Sequence, residues 1–406
     1  MNWPNRVVVT GCGTISPVGN DTATYWSALT EGRSGIAQPT LVSPELLFRE
    51  VVAEVKDYNP TDYFEERQLS PLDRVTQFAV IAAREALNAS GLTIDDALSE
   101  RTAAIVGTGI GGASTMDESY KRLYADKATR VYPLTVPKLM PNAPASQVSM
   151  HLGLRGPSFG VVSACASATH AIGLAYQMVR AGMVDAAITG GTEACITLGT
   201  LKGWEALRVM ATDTCRPFSK DRKGLVIGEG AAMVVLETLE SAKARGAEII
   251  AEVVGFGMSA DAKDLTNPDV GGMARAMKAC LADAGANPGD VAYINAHGTG
   301  TMANDSAETE ALKATFGELA PKIPVSSTKS MVGHALGAAG ALEFVALVNA
   351  VRDGIAPPTM NYAGLDPACD LDYVPNEARR MPIELGLSNS FAFGGLNAVL
   401  AARRFA

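Results

Sequence analysis

The stretch VVSACASATHAIGLAYQMVRAGMVDAAITGG, residues 161–191, predicts a buried strand that gives way to a helix, which leads to a second strand. Cys165 lies at the first junction, among alanine and serine. A helix N-terminus presents unpaired N–H groups and the positive end of the helix dipole, so it stabilises a thiolate and lowers the pKa of the thiol. Such a thiolate is a nucleophile for acyl transfer. The alternative, a buried and inert cysteine, fits the surroundings of Cys12, Cys195 and Cys280 better.

The same alternation continues on both sides of this stretch. Short β-branched runs that end in glycine, such as TAAIVGTGIGG and VAYINAHGTG, are separated by helical periods over residues 75–89 and 273–284. This pattern favours an α/β fold in layers. We expect the 406 residues to form one body made of two related halves, residues 1–248 and 249–406.

An internal similarity supports the two halves. A shift of 164 residues aligns SACASATHAIGLA with STKSMVGHALGAA. One interpretation is a duplicated strand–helix unit, with Cys165 and Lys329 at the same structural position. The other is chance similarity among abundant small residues. The identical pairs are Ser163 with Ser327, His170 with His334, Ala171 with Ala335, Gly173 with Gly337, and Ala175 with Ala339.

Composition and charge argue against several classes of function. Lys and Arg number 34 against 43 Asp and Glu, and no Lys/Arg-rich block occurs, so a nucleic-acid surface is not expected. The six cysteines lie far apart without a CxxC pair, which predicts no disulfide framework or zinc knuckle and favours a cytoplasmic protein. The N-terminal residues show no export signal, and the longest apolar run, residues 335–351, is interrupted by Glu343. We therefore expect no membrane insertion.

Histidine chemistry is limited to four residues. These are His151, His170, His297 and His334. His297 follows a predicted strand in NAHGTGTMAND, and His334 lies five residues beyond Lys329. Alone, each is more typical of a structural histidine; beside Cys165, two neutral imidazoles suit a reaction that stabilises an oxyanion and then an enolate. No HExxH motif occurs, and the spacing from His297 to Asp305 is not that of a zinc site, so no metal site is predicted.

The turn GTGIGG, residues 107–112, offers a different function. It matches the GxGxxG pattern of dinucleotide-binding turns and follows a predicted strand. A single match carries little information, and the unit lacks a convincing acidic ribose ligand about 20 residues further on. Nicotinamide binding is kept here only as an alternative.

Five longer motifs surround these residues in a fixed order along the chain. They are GPSFGVVSACASATHAI, TCRPFSKDRKGLVIGEGA, NAHGTGTMANDSAETEAL, SSTKSMVGHALGAAGALE and NSFAFGGLNAVL. With them the sequence resembles the β-ketoacyl-acyl-carrier-protein synthases over almost its full length, most of all the elongating synthase II type, including its nodulation-associated branch. The resemblance implies a thiolase-like five-layer αβαβα fold, a homodimer, and acyl carrier protein in its acyl and malonyl forms as the partner. It implies no cofactor, because the carrier protein brings the phosphopantetheine.

The resemblance also implies roles for the reactive residues. Cys165 would take an acyl chain from the carrier thioester, with the backbone N–H groups of Cys165 and Phe393 as the oxyanion hole. His297 and His334 would assist decarboxylation of the malonyl carrier and stabilise the enolate. Lys329, paired with Glu343 or another acid, would fix the position of His297.

Other residues are assigned by the resemblance to groups with a shared task. These are the structural acids Asp305 and Glu308, the pantetheine ligands Thr299 and Thr301, the gate residues Phe391 and Phe393, the acyl-pocket residues Ile110, Trp204 and Thr135 (the last across the dimer), and a carrier-protein patch of Arg67, Arg74, Lys127, Arg130 and Arg208.

The sequence departs from the family's pattern at the gate and at the patch. Ala392 and Leu396 stand where Gly and Thr are usual, and Asp264 stands where a histidine is usual. Since alanine has less backbone freedom than glycine, we expect stiffer gate motion. Ser70 and Pro71 stand where relatives carry basic residues, so the carrier-protein patch has fewer positive charges than usual.

Two alternatives to an active carrier-dependent synthase remain open. A catalytically silent partner would have lost Cys165 or one of the two histidines, and all three are present. A thiolase that uses coenzyme A thioesters would need a second catalytic cysteine near the C-terminus, which NSFAFGGLN lacks. A synthase III type would have asparagine in place of His334.

Overall fold

The structure, a computed structural model, describes residues 3–48 and 51–405. The strands are β1 (Val7–Ile15), β2 (Thr102–Gly107), β3 (Ser158–Val161), β4 (Ala186–Glu193), β5 (Gly230–Thr238), β6 (Ala251–Ala260), β7 (Tyr293–Asn295), β8 (Val325–Ser326), β9 (Ile355–Ala356), β10 (Arg379–Arg380), β11 (Leu385–Ala392) and β12 (Leu396–Arg403). The helices are α1 (Thr22–Thr30), α2 (Glu66–Leu69), α3 (Arg74–Ser90), α4 (Asp96–Glu100), α5 (Ala113–Tyr120), α6 (Thr135–Leu139), α7 (Ala143–Leu152), α8 (Ser167–Arg180), α9 (Leu198–Ala206), α10 (Leu239–Ala244), α11 (Val270–Ala284), α12 (Met302–Phe316), α13 (Lys329–Val332) and α14 (Ala339–Asp353).

Two five-stranded groups with the same internal order make up the main sheet. The order is β3-β2-β4-β5-β1 followed by β6-β12-β11-β7-β8, so each strand of the first group has a counterpart in the second. The groups join where β1 pairs antiparallel with β6 through Val7, Val8 and Val9. Strands β9 and β10 form a separate two-stranded sheet.

Helices cover the strand groups in layers. Helix α3 packs on β1 and β5, and α11 packs on β6 and β12, while α8 and α14 contact each other between the two strand groups. The five-layer αβαβα arrangement expected from the sequence is therefore confirmed. Its central layer explains the long apolar run, because every residue of α14 from Ala339 to Val351 is buried. Among the described helices, none is long and apolar enough to cross a membrane.

The internal repeat is present, but in a different register from the one predicted. A 3₁₀ turn precedes each central helix: Ala164–Ala166 before α8, and Leu336–Ala338 before α14. Ala164 and Leu336 both have left-handed backbones, with φ of 50° and 42°. In the repeated unit, Gly337 and not Lys329 therefore occupies the position equivalent to that of Cys165. The 164-residue alignment was wrong because identities among small residues also arise by chance.

Candidate active site

Cys165 occupies the strand-to-helix junction that the sequence predicted. It is the middle residue of the 3₁₀ turn between β3 and α8, and only 6% of it is exposed. The left-handed Ala164 turns the chain at this point, and Ser167 Oγ accepts the N–H of Ser163 at 2.8 Å. Cys165 Sγ lies 3.0 Å from Nε2 of His334. The turn therefore presents the thiol to an imidazole.

The thiol is not activated in the way the sequence suggested. Burial raises the pKa of Cys165 to about 11, and this outweighs the lowering by Lys329 and by the backbone N–H groups of Phe393 and Cys165. The prediction of a lowered pKa was wrong, because the turn lies in the interior. The neutral thiol is the resting form, and His334 is placed to accept its proton.

His297 and His334 lie edge to face, with ring centroids 5.3 Å apart and planes at 84°. Burial lowers the pKa of both rings well below the usual value, and the charge of Lys329 lowers it further. Both imidazoles are therefore neutral at pH 7. One ring nitrogen from each histidine and Cys165 Sγ all lie within 4.8 Å of one another.

Lys329 uses its ammonium group to hold His297. Its Nζ donates to the backbone carbonyl of His297 at 2.6 Å, lies 3.3 Å from His297 Nδ1, and contacts the carboxylate of Glu343. Lysine only donates hydrogen bonds, so Nδ1 of His297 acts as the acceptor and Nε2 carries the hydrogen. The pairing of Lys329 with Glu343 agrees with the sequence. Burial raises the pKa of Glu343 to about 7, with Lys329 acting in the opposite direction.

Two buried acids hold the loop that carries His297. Glu308 accepts the N–H groups of His297 at 2.9 Å and Gly298 at 2.7 Å. Asp305 accepts those of Phe218 at 2.7 Å and Gly300 at 3.2 Å. These contacts are those of structural acids.

A cavity of about 260 Å³ leads to the three reactive side chains. Thr299, Thr301 and Trp204 line it, together with Phe391 and Phe393. The Thr299 and Thr301 hydroxyls lie 2.9 Å apart. Ile110 and Thr135 are not among the lining residues: Ile110 packs against the main core, and Thr135 is buried at the start of α6.

The gate segment, residues 391–396, is tied to the loop at residues 261–269. Asp261 donates its N–H to the Gly395 carbonyl at 2.9 Å and accepts from Asn397 Nδ2 at 2.6 Å. Gly394 N–H donates to the Leu265 carbonyl at 2.8 Å. Asp264 on this loop departs from the family's pattern, and its side chain accepts N–H groups of its own loop. Asp261 makes the connection to the gate segment instead, and no pattern in the sequence points to it.

The gate segment also packs against α9 through a pair of stacked aromatic rings. The rings of Trp204 and Phe393 lie 5.9 Å apart, with their planes 25° from parallel. Phe391 meets His297 at 6.2 Å between ring centroids. The gate residues thus connect the reactive centre to the wall formed by α9.

The GTGIGG turn binds a carboxylate of its own chain. Glu193, at the end of β4, accepts N–H groups from Gly109 at 2.7 Å, Ile110 at 3.3 Å and Gly337 at 3.0 Å, and the Thr108 hydroxyl at 3.2 Å. A Cβ on Gly109 would lie 2.7 Å from a Glu193 oxygen, which explains that glycine. The turn amides are therefore occupied, and the nicotinamide alternative was wrong. No motif in the sequence points to this role of Glu193.

The predicted carrier-protein patch is only partly at the surface. Lys127, Arg130 and Arg208 are exposed, and Arg67 is exposed in an ion pair with a neighbouring acid. Arg74 does not belong with them. Its guanidinium donates to buried Glu229 at 2.6 and 3.0 Å and lies over the rings of Tyr58 and Phe78.

Comparison with known proteins identifies the family. Residues 4–242 match the family described as "Beta-ketoacyl synthase, N-terminal domain", and residues 250–363 match "Beta-ketoacyl synthase, C-terminal domain". Nodulation protein E of Rhizobium sp. (strain N33) is 52% identical over 401 residues, covering 98% of this chain and 99% of that protein. 3-Oxoacyl-[acyl-carrier-protein] synthase 2 of Staphylococcus aureus (strain N315) is 44% identical over 412 residues, covering 100% of both.

Solved structures agree with this assignment. The ishigamide ketosynthase/chain length factor superposes with a TM-score of 0.95 at 37% identity, covering 99% of this chain and 100% of that one. A ketosynthase in complex with its type II polyketide acyl carrier protein gives a TM-score of 0.89 at 32% identity, again over 99% and 100% of the two chains. This chain belongs to the β-ketoacyl synthase family of condensing acyltransferases and has the thiolase-like fold of that family.

Proposed function

We propose that this chain is an active β-ketoacyl-acyl-carrier-protein synthase of the synthase II type. It joins an acyl thioester to malonyl-acyl carrier protein by decarboxylative Claisen condensation, through an acyl-Cys165 intermediate. The observation that carries the proposal is the buried cluster of Cys165, His297 and His334 at the inner end of the cavity.

In the first half-reaction Cys165 is acylated. His334 Nε2, 3.0 Å from Sγ, takes the thiol proton as sulfur attacks the thioester carbonyl. The backbone N–H groups of Cys165 and Phe393 lower the pKa of the Cys165 thiol, and the same two donors would stabilise the oxyanion that forms beside it. The carrier's pantetheine thiolate leaves and takes that proton back from His334, while Thr299 and Thr301 hold the pantetheine amides.

In the second half-reaction malonyl carrier protein loses carbon dioxide. The electron pair of the broken carbon–carbon bond becomes an enolate, whose oxygen accepts a hydrogen bond from Nε2–H of His297. Acylated Cys165 has no S–H to donate, and Nδ1 of His334 has no partner among the described residues, so the ring hydrogen of His334 can move to Nε2 and supply the second hydrogen bond. The enolate carbon attacks the acyl-Cys165 carbonyl, and the Cys165 thiolate leaves and takes up a proton from water, which restores the resting thiol. Lys329 keeps His297 in the tautomer that donates from Nε2.

The partner of this reaction is an acyl carrier protein, which supplies the phosphopantetheine, so the chain needs no cofactor or metal of its own. The relative solved with its carrier protein supports this partner. We further infer a cytoplasmic homodimer and two thiolase-like halves, residues 1–248 and 249–406, whose boundary falls between α10 and β6.

One experiment separates this function from its alternatives. The enzyme is incubated with acyl carrier proteins of several chain lengths and with malonyl carrier protein, and both products and peptides are analysed by mass spectrometry. We expect the acyl mass on Cys165 alone and a β-ketoacyl carrier product. Cys215→Ser is the matched control, because Cys215 is also buried near Thr299.

The histidine variants test the second half-reaction. His297→Ala and His334→Ala each remove one donor to the enolate, a loss that typically lowers the rate on the order of 100- to 1,000-fold. Carbon dioxide release should fall more than acylation of Cys165. Full condensation by Cys165→Ala, or preference for free coenzyme A thioesters, would contradict the proposal.

A further inference from the structure

The reactive cluster has the donor set of a zinc site. Cys165, His297 and His334 offer one sulfur and two imidazole nitrogens within 4.8 Å of one another, and all three residues are buried. Three such ligands with a fourth position open are the arrangement of zinc sites that bind solvent or substrate. The cavity supplies that open position. A thiophilic cation here would displace the thiol proton and block acylation of Cys165.

The separation of Cys165 Sγ from His334 Nε2 is close to the one that a metal requires. In a tetrahedral site with Zn–S near 2.3 Å and Zn–N near 2.1 Å, sulfur and nitrogen lie roughly 3.5 Å apart. Cys165 Sγ and His334 Nε2 are 3.0 Å apart, so a shift of a few tenths of an ångström admits the cation. Geometry alone therefore does not protect the cluster.

Lys329 opposes metal binding through His297. Its three N–H groups are all engaged, by the Glu343 carboxylate, by the His297 carbonyl at 2.6 Å and by His297 Nδ1 at 3.3 Å. With Nδ1 as acceptor, Nε2 bears a hydrogen and has no lone pair for a metal. If that hydrogen moved to Nδ1, the Nδ1–H group and the Lys329 ammonium would be two hydrogen-bond donors facing each other, with no acceptor between them. The ammonium charge also repels a divalent cation.

We propose that Lys329 keeps thiophilic divalent cations out of the Cys165–His297–His334 cluster by holding Nδ1 of His297 as an acceptor and placing a positive charge beside it. This role goes beyond the proposed condensation, and its test measures metal binding and not catalytic turnover. An experiment can therefore contradict the role of Lys329 in excluding metal and leave the proposed condensation activity intact, or the reverse.

Cobalt(II) is the probe, because tetrahedral Co²⁺ with a thiolate ligand shows visible ligand-field bands and a near-ultraviolet charge-transfer band. The whole chelator-treated protein is titrated with CoCl₂. We expect no such bands with one equivalent for the parent, and one bound Co²⁺ for Lys329→Met. The apparent affinity should rise on the order of 100-fold once the charge and the tautomer constraint are gone.

Three further variants assign the effect. Lys329→Arg keeps a cationic donor and should exclude cobalt as the parent does. Cys165→Ala combined with Lys329→Met should lose the thiolate band. Lys329→Met combined with Glu343→Gln should still bind cobalt. This result would show that binding follows from loss of the ammonium group and not from the Glu343 carboxylate acting as a new ligand. The double variant also replaces Lys329→Met in the titration if that single variant folds poorly. Lys313→Met, at an exposed pair with Asp370, is the matched control.

Two results would overturn the proposal. One is stoichiometric cobalt binding by the parent with the thiolate band. The other is a folded Lys329→Met protein, shown by circular dichroism, that binds no cobalt in either the single or the double variant.

Discussion

At the scale of single residues, Glu193 is a buried carboxyl group held by hydrogen bonds. Four hydrogen-bond donors surround its carboxylate, and among the described residues no cation pairs with it. Burial raises the pKa of Glu193 to about 7, with the donors lowering it less. The folded protein therefore binds this proton more tightly than the unfolded chain does. Stability from this group is complete below pH 4.5 and is lost as the pH rises to 7.

Glu193→Gln removes this titration. The parent should lose about 3 kcal/mol of unfolding free energy through Glu193 between pH 4.5 and 7. Glu308 and Glu343, whose pKa values burial also raises to about 7, act in the same direction and remain in the variant. In urea unfolding at a series of pH values, the unfolding free energy of Glu193→Gln should fall less steeply between pH 4.5 and 7 than that of the parent. A slope equal to the parent's would show that Glu193 does not titrate in the folded state.

Trp204 is a second residue with a measurable role. It lines the cavity and stacks on Phe393, which favours a place in the acyl pocket over simple packing. Trp204→Phe should shift the preference toward longer acyl carrier proteins and lower stability by less than about 1.5 kcal/mol. Turnover across short, medium and long chains, with melting temperatures, checks this. A lower melting temperature with an unchanged chain-length profile would assign Trp204 to packing alone.

At the scale of elements, the residue that caps the start of α12 combines a helix-capping contact with a proposed role in binding pantetheine. Thr301 is its N-cap residue, and the hydroxyl accepts the N–H of Asn304 at 3.3 Å. Thr301→Ala should lower the unfolding free energy by about 1 kcal/mol and raise KM for carrier-bound thioesters. Thr301→Ser keeps the hydroxyl and should restore both. Chemical denaturation and steady-state kinetics provide the two readouts, and an unchanged KM for Thr301→Ala would remove this residue from the binding site.

The elements also show what the sequence can reveal. The strand–turn–helix around Cys165 and the pairing of Lys329 with Glu343 were predictable, because they depend on local pattern and on family motifs. The pKa direction of Cys165 was not, since burial comes from layers far away in the chain. The contacts of Glu193 with Gly337 and of Asp261 with Asn397 join residues more than 130 positions apart, and no local pattern encodes them. The register of the internal repeat could be assigned only from the structure, which shows the two equivalent left-handed residues, Ala164 and Leu336.

At the scale of the whole molecule, net charge and local charge act in opposite directions. The chain carries a net charge of −9, whereas the proposed docking patch is basic and would attract an acidic carrier protein. Arg67→Glu with Arg208→Glu should raise KM for carrier-bound substrates on the order of 10-fold at low salt, and less at high salt. Arg101→Glu, at the opposite ends of β2 and β4 from the site, is the control. Equal KM values at low salt would exclude this surface from docking.

The joint between β1 and β6 determines how the molecule comes apart. β1 pairs with β5 along its length and with β6 through Val7–Val9, so separating the halves would leave both strands with an open edge and uncover α8 and α14. Neither half is then an independent cooperative unit. All three tryptophans precede residue 249, whereas far-ultraviolet circular dichroism reports the entire chain. Thermal melts followed by tryptophan fluorescence and by circular dichroism should therefore share one midpoint, since the N-terminal strands cannot melt while the C-terminal ones persist.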